Sequence, residues 1–146
     1  MSYLVILLSF HLSWASGSSY FSNADLESTL RSGEVDNVMI FTWSPHMPLS
    51  IKGLDEAIQF TKSNKIKLIV VLDPNCDFSL AQKVAFKHQW PDTYLKTIQS
   101  SKLIERGLRV HYPSYLLIKH GSFSGPTTPG YKSKEELDRM IGMYLK

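Results

Sequence analysis

The chain contains a single cysteine, Cys76, among its 146 residues. One thiol excludes a disulfide within the chain, and it excludes a structural zinc site built from several cysteines. Neither sign of charge dominates, since 16 Lys and Arg stand against 13 Asp and Glu. The basic residues are dispersed among acidic and apolar ones, so we expect solvated helix faces and no nucleic-acid partner.

The first 15 residues lack any Asp, Glu, Lys or Arg. Leu4 to Phe10 is strongly apolar, and Ser13-Trp14-Ala15 places small residues at the −3 and −1 positions of a cleavage site. This pattern predicts a secretory signal peptide over residues 1–15, although a first core strand is the alternative. The apolar run is too short to span a bilayer. We therefore expect a periplasmic or secreted protein with no stable membrane span after cleavage.

A buried strand followed by a helix is predicted near the middle of the chain. Val38 to Trp43 is a continuous apolar and β-branched run. Ser44 is predicted to be the N-cap and Pro45 the first residue of the helix, which runs to about Ser63. The expected apolar face of this helix comprises Met47, Ile51, Leu54, Ile58 and Thr61.

A second apolar run, Lys67 to Asp73, has apolar residues on both faces. This is typical of a strand covered on both sides in a parallel pair. The loop from Asp73 to Asp77 should then lie at the same sheet edge as Ser44.

The remaining elements complete a single domain over residues 16–146. The sequence predicts a helix from Ser22 to near Gly33, another helix over Phe78–His88 and two short helices within Tyr94–Arg106. A strand over Tyr115–Lys119 and a hairpin turn at His120-Gly121 are predicted to follow. The return strand is predicted to begin at Ser122 and to be interrupted by a loop from Ser124 to Pro129. A capping box formed by Ser133 and Glu136 begins a final helix with Leu137, Met140, Ile141 and Tyr144 on its apolar face.

This element order resembles the thioredoxin fold over roughly Phe21 to Leu145. Trp43 ends a central strand just before a four-residue turn, and Pro113 immediately precedes the next strand. The resemblance implies an α/β fold of three layers, with a central mixed sheet of four to five strands flanked by helices. It also implies a cis bond between Tyr112 and Pro113 and, as in exported members of the family, an insertion, here around residues 78–106.

The departure from the family concerns its reactive turn. Family enzymes carry Cys-x-x-Cys there, and the disulfide-introducing periplasmic members carry Cys-Pro-His-Cys; this chain has Ser44-Pro45-His46-Met47. Thiol–disulfide exchange needs an attacking thiolate and a resolving thiol. Ser44 and His46 are two residues apart at the start of a predicted helix and would not face each other as a nucleophile and base. We therefore expect no catalytic residue, no cofactor and no turnover of dithiols.

What remains is a vestigial active-site surface that would bind a protein or peptide partner in the cell envelope. Its expected members are Trp43, Ser44, Pro45, His46, Met47, Tyr112 and Pro113. One alternative is a single-thiol redox or glutathione-linked enzyme that uses Cys76. A second is a copper-handling protein, because His46, Met47, Cys76 and His111 offer soft sulfur and imidazole ligands. The cysteine pair of copper-binding relatives is missing, so no metal site is assigned.

Overall fold

The computed structural model describes residues 20–32 and 36–146. The predicted signal peptide and Gly33 lie outside these residues. The elements are β1 (Tyr20–Phe21), α1 (Asn23–Arg31), β2 (Asn37–Trp43), α2 (Pro48–Ser63), β3 (Lys67–Leu72), α3 (Phe78–His88), a 3-10 turn (Asp92–Leu95), β4 (Thr97–Ile98), α4 (Ser101–Glu105), β5 (Ser114–Lys119), β6 (Ser122–Pro129) and α5 (Lys134–Tyr144).

The six strands form one mixed sheet in the order β1-β4-β3-β2-β5-β6. Strands β2 and β3 are parallel, with Val38 opposite Lys67 and Trp43 opposite Leu72. Strand β5 is antiparallel to β2 and continues into the hairpin with β6. The parallel pair and the mixed sheet flanked by helices are confirmed, with six strands rather than four or five.

Each face of the sheet has its own apolar core. Met39, Phe41 and Trp43 of β2 pack with helices α2, α3 and α5. Val38 and Ile40 point to the opposite face and pack with α1 and α4. Because alternate residues of a strand point to opposite faces, a sheet covered on both sides needs strands that are apolar throughout. This explains the continuous apolar runs in the sequence and gives the three layers of the fold.

Helix α2 begins three residues later than predicted. Its first residue is Pro48, and its N-cap is Met47 rather than Ser44. The reason is Pro48 itself: the residue before a proline is pushed out of the helical region, and Met47 is extended with φ −115° and ψ 98°. The helix therefore cannot continue back to Pro45. Met47 is 47% exposed, so the prediction that it faces the core is wrong.

Two further segments differ from the prediction. The region Tyr94–Arg106, predicted as two short helices, contains one of them, α4, and overlaps the 3-10 turn at its start. Between the two lies the strand β4, which was not predicted and which pairs with β1 and β3. The return strand β6 is continuous to Pro129 instead of ending in a loop. A bulge between Tyr115 and Leu117 shifts its register: Leu117 lies opposite Ser124, but Tyr115 lies opposite Thr128. Strand β6 can therefore pass through Gly125 and Pro126 without losing its pairing with β5.

Candidate functional site

The segment after β2 is a tight turn held by a buried serine. The Met47 N–H donates to the Ser44 carbonyl at 3.1 Å. The Ser50 hydroxyl accepts the Ser44 N–H at 3.1 Å and lies 2.8 Å from the carbonyl oxygens of both Ser44 and Met47. Ser50 is fully buried. Because this one hydroxyl contacts both ends of the turn, it fixes the conformation of Ser44 to Met47.

Four residues that the sequence assigned to the exposed surface are buried, namely Trp43, Ser44, Pro45 and Pro113. Trp43 is 0% exposed, and its indole Nε1 donates to the Tyr94 carbonyl at 2.8 Å. Ser44 is 2% exposed, and Pro45 is buried as well. These residues support the surface from below and offer a partner little contact area, so the expectation that they form part of the surface is corrected. The turn presents His46 and Met47 to solvent.

The loop before β5 lies beside this turn, and its peptide bond Tyr112–Pro113 is cis. The Ser114 hydroxyl donates to the His111 carbonyl at 2.8 Å, while the Ser114 N–H donates to the Thr42 hydroxyl at 2.8 Å. The Pro113 carbonyl accepts the Gly130 N–H at 2.8 Å. Within the described part of the chain, the Tyr112 N–H and carbonyl have no hydrogen-bond partner.

A shallow groove of about 380 Å³ joins the turn to this loop. We call it the Met47 groove, and its walls are Met47, Val110, His111, Tyr112, Pro129 and Gly130. Val110 is 67% exposed, so the groove has an accessible apolar wall. The structure therefore brings together Met47 and Tyr112 of the predicted surface.

Sequence reasoning missed Val110, Pro129 and Gly130. Pro129 reaches the groove because the bulged hairpin places it opposite Ser114, and Gly130 follows it. The hairpin turn was visible in the sequence, but the register shift that decides which residue of β6 lies opposite Ser114 was not.

The hydroxyl of Tyr112 is turned away from solvent. Its oxygen is buried and has no hydrogen bond of normal geometry among the described residues. Burial, and then the negative charge of Asp73, raises the pKa of Tyr112. The hydroxyl is therefore neutral at physiological pH, and the side chain anchors the loop rather than carrying charge.

Cys76 lies at the same sheet edge, as expected, because the Asp73 N–H donates to the Trp43 carbonyl at 2.8 Å. Its side chain is half-buried and packs against the larger core. Burial, and then the negative charges of Asp73 and Asp77, raises the pKa of the Cys76 thiol from 9.0 to about 11. Since the thiolate is the nucleophile, this environment suppresses the reactivity of Cys76.

The copper hypothesis gains no support from the arrangement of its ligands. His46 Nε2 accepts the Asp77 N–H at 3.2 Å, so a metal would have to displace this bond. His111 and Met47 both line the groove, whereas Cys76 packs against the core. Over residues 20–32 and 36–146, no three His, Cys, Asp or Glu side chains form a group that would hold a metal ion.

Comparison with solved structures identifies the architecture. DsbF of Mycobacterium tuberculosis, solved in mixed oxidized and reduced forms, superposes with a TM-score of 0.54 at 17% identity, covering 73% of this chain and 79% of that one. The chain has a thioredoxin-like fold. The exposed lipoprotein thioredoxin Etrx1 of Streptococcus pneumoniae gives a TM-score of 0.54 at 17% identity, with 77% and 88% coverage.

A third similar structure is a secreted Mycobacterium tuberculosis disulfide oxidoreductase homologous to Escherichia coli DsbE, with a TM-score of 0.50, 14% identity and coverage of 73% and 81%. No family model and no curated protein matches the sequence. At these identities the likeness concerns the fold alone. Among the described residues, no helix is both long and apolar enough to cross a membrane.

Proposed function

We propose that this chain is a redox-inactive thioredoxin-like protein of the cell envelope that binds an extended segment of a protein or peptide partner in the Met47 groove. The observation that carries the proposal is that the N–H and carbonyl of Tyr112, a residue that lines a groove with apolar walls, have no hydrogen-bond partner among the described residues. An unpaired N–H and carbonyl bind the main chain of an extended peptide as a neighbouring strand would.

The proposed absence of redox activity is supported by the missing thiols at positions 44 and 47 and by the low reactivity of Cys76. Positions 44 and 47 carry a buried hydroxyl and an exposed thioether, and neither forms a disulfide. The remaining thiol, Cys76, has a pKa of about 11. A single thiol that is protonated at neutral pH can neither attack efficiently nor resolve a mixed disulfide.

The chemistry of the groove favours an uncharged partner side chain next to Tyr112. Met47, Val110 and Pro129 are apolar, and among the described wall residues only His111 and the neutral Tyr112 have titratable side chains. Partly burying an aliphatic or aromatic side chain in this shallow groove is worth up to about 1.5 kcal/mol, whereas a carboxylate would lose part of its hydration there.

An envelope location is supported by the sequence of residues 1–15 and by two proteins of similar fold. Two similar structures are described as an exposed lipoprotein and a secreted protein. Fusion of residues 1–20 to a reporter enzyme that is active only after export tests this part of the proposal. Retention of the reporter in the cytoplasm would contradict it.

Peptide binding is tested with fluorescein-labelled peptides of about nine residues, Thr-rich to favour the extended state, with a central Leu, Phe, Asp or Lys. We expect the Leu and Phe peptides to bind at least about tenfold more tightly than the Asp peptide. Val110→Glu should abolish this preference. Met143→Glu is the matched control, because Met143 is 70% exposed on α5 and is not part of the groove. Absence of binding by the unmutated chain would overturn the proposal.

Redox inactivity is tested separately by insulin reduction with dithiothreitol. The unmutated chain should give the uncatalysed rate. Turnover above that rate, abolished by Cys76→Ser, would instead establish the single-thiol enzyme.

A further inference from the structure

In the loop from His111 to Ser114, some main-chain N–H and carbonyl groups form hydrogen bonds within the fold and others do not. The His111 carbonyl accepts from the Ser114 hydroxyl at 2.8 Å and, more weakly, from the Thr42 hydroxyl at 3.4 Å. The Ser114 N–H donates to the Thr42 hydroxyl, and the Pro113 carbonyl accepts the Gly130 N–H. Proline has no N–H. Among the described residues, the Tyr112 N–H and carbonyl, like the His111 N–H, have no hydrogen-bond partner.

The two hydroxyls that produce this pattern are deeply buried. Thr42 is 0% exposed and Ser114 is 1% exposed. They lie opposite each other on the antiparallel strands β2 and β5. Instead of pairing with the backbone of β2, the Ser114 N–H donates to the Thr42 side chain. The hydroxyl pair thus ties the loop to the rigid centre of the sheet.

We infer that Thr42 and Ser114 are positioning residues, which hold the His111 carbonyl and the Ser114 N–H inward, on either side of the Tyr112–Pro113 segment, so that the Tyr112 N–H and carbonyl face a partner strand in the Met47 groove. This inference rests on the proposed function. It states that two side chains which the partner does not contact set the orientation of the Tyr112 N–H and carbonyl. Without these hydroxyls, the His111 carbonyl is released, and the loop loses the contacts that set the direction of the Tyr112 peptide groups.

The experiment compares two peptides that differ in one atom. The Leu peptide is made with its ordinary amide and with an ester in place of the N–H that would donate to the Tyr112 carbonyl. In the unmutated chain the ester should weaken binding about 5- to 10-fold, the value of one hydrogen bond. In Thr42→Val and in Ser114→Ala the amide peptide should bind as weakly as the ester, so that the difference disappears.

The controls separate positioning from general destabilisation. Thr42→Ser keeps the hydroxyl and should restore the difference between amide and ester. Thr61→Val removes an equally buried hydroxyl, one that donates to Ala57 within α2, and should leave the difference intact. The unfolding free energy of each variant, measured in urea, shows that binding is compared between folded proteins.

The outcomes distinguish this inference from the proposed function. If the unmutated chain distinguishes amide from ester and Thr42→Val does so equally, the inference is wrong while the proposed function stands. If the unmutated chain binds the amide and the ester with equal affinity, Tyr112 is not the pairing residue and the inference is again wrong. If it binds neither peptide, both fail together.

Discussion

The indole Nε1 of Trp90 donates a hydrogen bond to Oδ1 of Asp55 at 2.9 Å. This bond connects the segment after α3 to the middle of α2. The other carboxylate oxygen lies 2.8 Å from His88 Nδ1, and the Trp90 ring meets Trp43 edge to face with centroids 5.0 Å apart. One carboxylate therefore links α2 to the indole that supports the strand leading to the candidate site.

Replacing Asp55 should destabilise the fold. In Asp55→Ala the Trp90 N–H loses its acceptor. Because the Asp55 side chain is 43% exposed, water can replace part of this contact, and we expect a loss of about 0.5–1.5 kcal/mol. Urea unfolding followed by tryptophan fluorescence measures this loss. Gln59→Ala, an exposed position one turn along α2, should change the unfolding free energy by less than about 0.5 kcal/mol. Equal stabilities of the two variants would show that the Asp55 contact contributes nothing.

Gly125 should not tolerate a side chain. Its φ is +78°, and a Cβ atom there would lie 2.6 Å from ring carbons of Tyr144. We expect Gly125→Ala to lower the unfolding free energy by more than about 1 kcal/mol, since the strain of φ adds to the collision. Gly142→Ala is the matched control on α5: its Cβ would meet nothing within 4 Å, and the helix should gain about 0.5–1 kcal/mol. Thermal unfolding of both variants gives the comparison.

The Cys76 thiol should react slowly at neutral pH. Because its pKa is raised from 9.0 to about 11, the thiolate fraction at pH 8 is roughly 100-fold below that of an ordinary cysteine. Alkylation by iodoacetamide should therefore keep accelerating up to about pH 11. Asp73→Asn removes a negative charge that raises the pKa, so its alkylation should be faster at pH 8.

Two controls accompany this measurement. Asp92→Asn removes an exposed carboxylate at the start of the 3-10 turn and should leave the alkylation rate unchanged. In guanidinium chloride the unfolded chain should react at the ordinary rate. A rate that levels off near pH 9 in the folded protein would contradict the raised pKa.

The turn from Ser44 to Met47 should accept a disulfide. The hydrogen bond from the Met47 N–H to the Ser44 carbonyl closes a turn whose end Cα atoms lie less than about 7 Å apart, which overlaps the range that a disulfide spans. The oxidised double variant Ser44→Cys with Met47→Cys should therefore retain one titratable thiol, Cys76, when denatured without reductant. Ser44→Cys alone should show two. Three free thiols in the oxidised double variant would indicate a wider turn.

The sequence by itself determined the elements whose stabilising contacts are local. The range predicted for α3, Phe78–His88, agrees with the structure, and the capping box of Ser133 and Glu136 begins α5 as expected. The continuous apolar runs of β2 and β3 predicted a sheet covered on both faces, because strand alternation is fixed by the backbone. The sequence also determined that positions 44 and 47 carry no thiol.

The start of α2 was predicted wrongly because the effect of Pro48 was not taken into account. Pro48 disfavours a helical Met47, so the start of α2 was encoded in the sequence, and Ser44 was never in a position to cap the helix.

Only the tertiary structure decided which residues form the Met47 groove. Trp43 is adjacent in sequence to the turn but is buried, whereas Pro129, 86 residues away, lines the groove. The bulge in the hairpin places Pro129 rather than Thr127 opposite Ser114, and the hydroxyl of Thr42 holds the N–H of Ser114 across two strands. Such contacts depend on strand register and on side-chain burial across the sheet. No local pattern encodes them, because each is set by packing between segments that are distant in the chain.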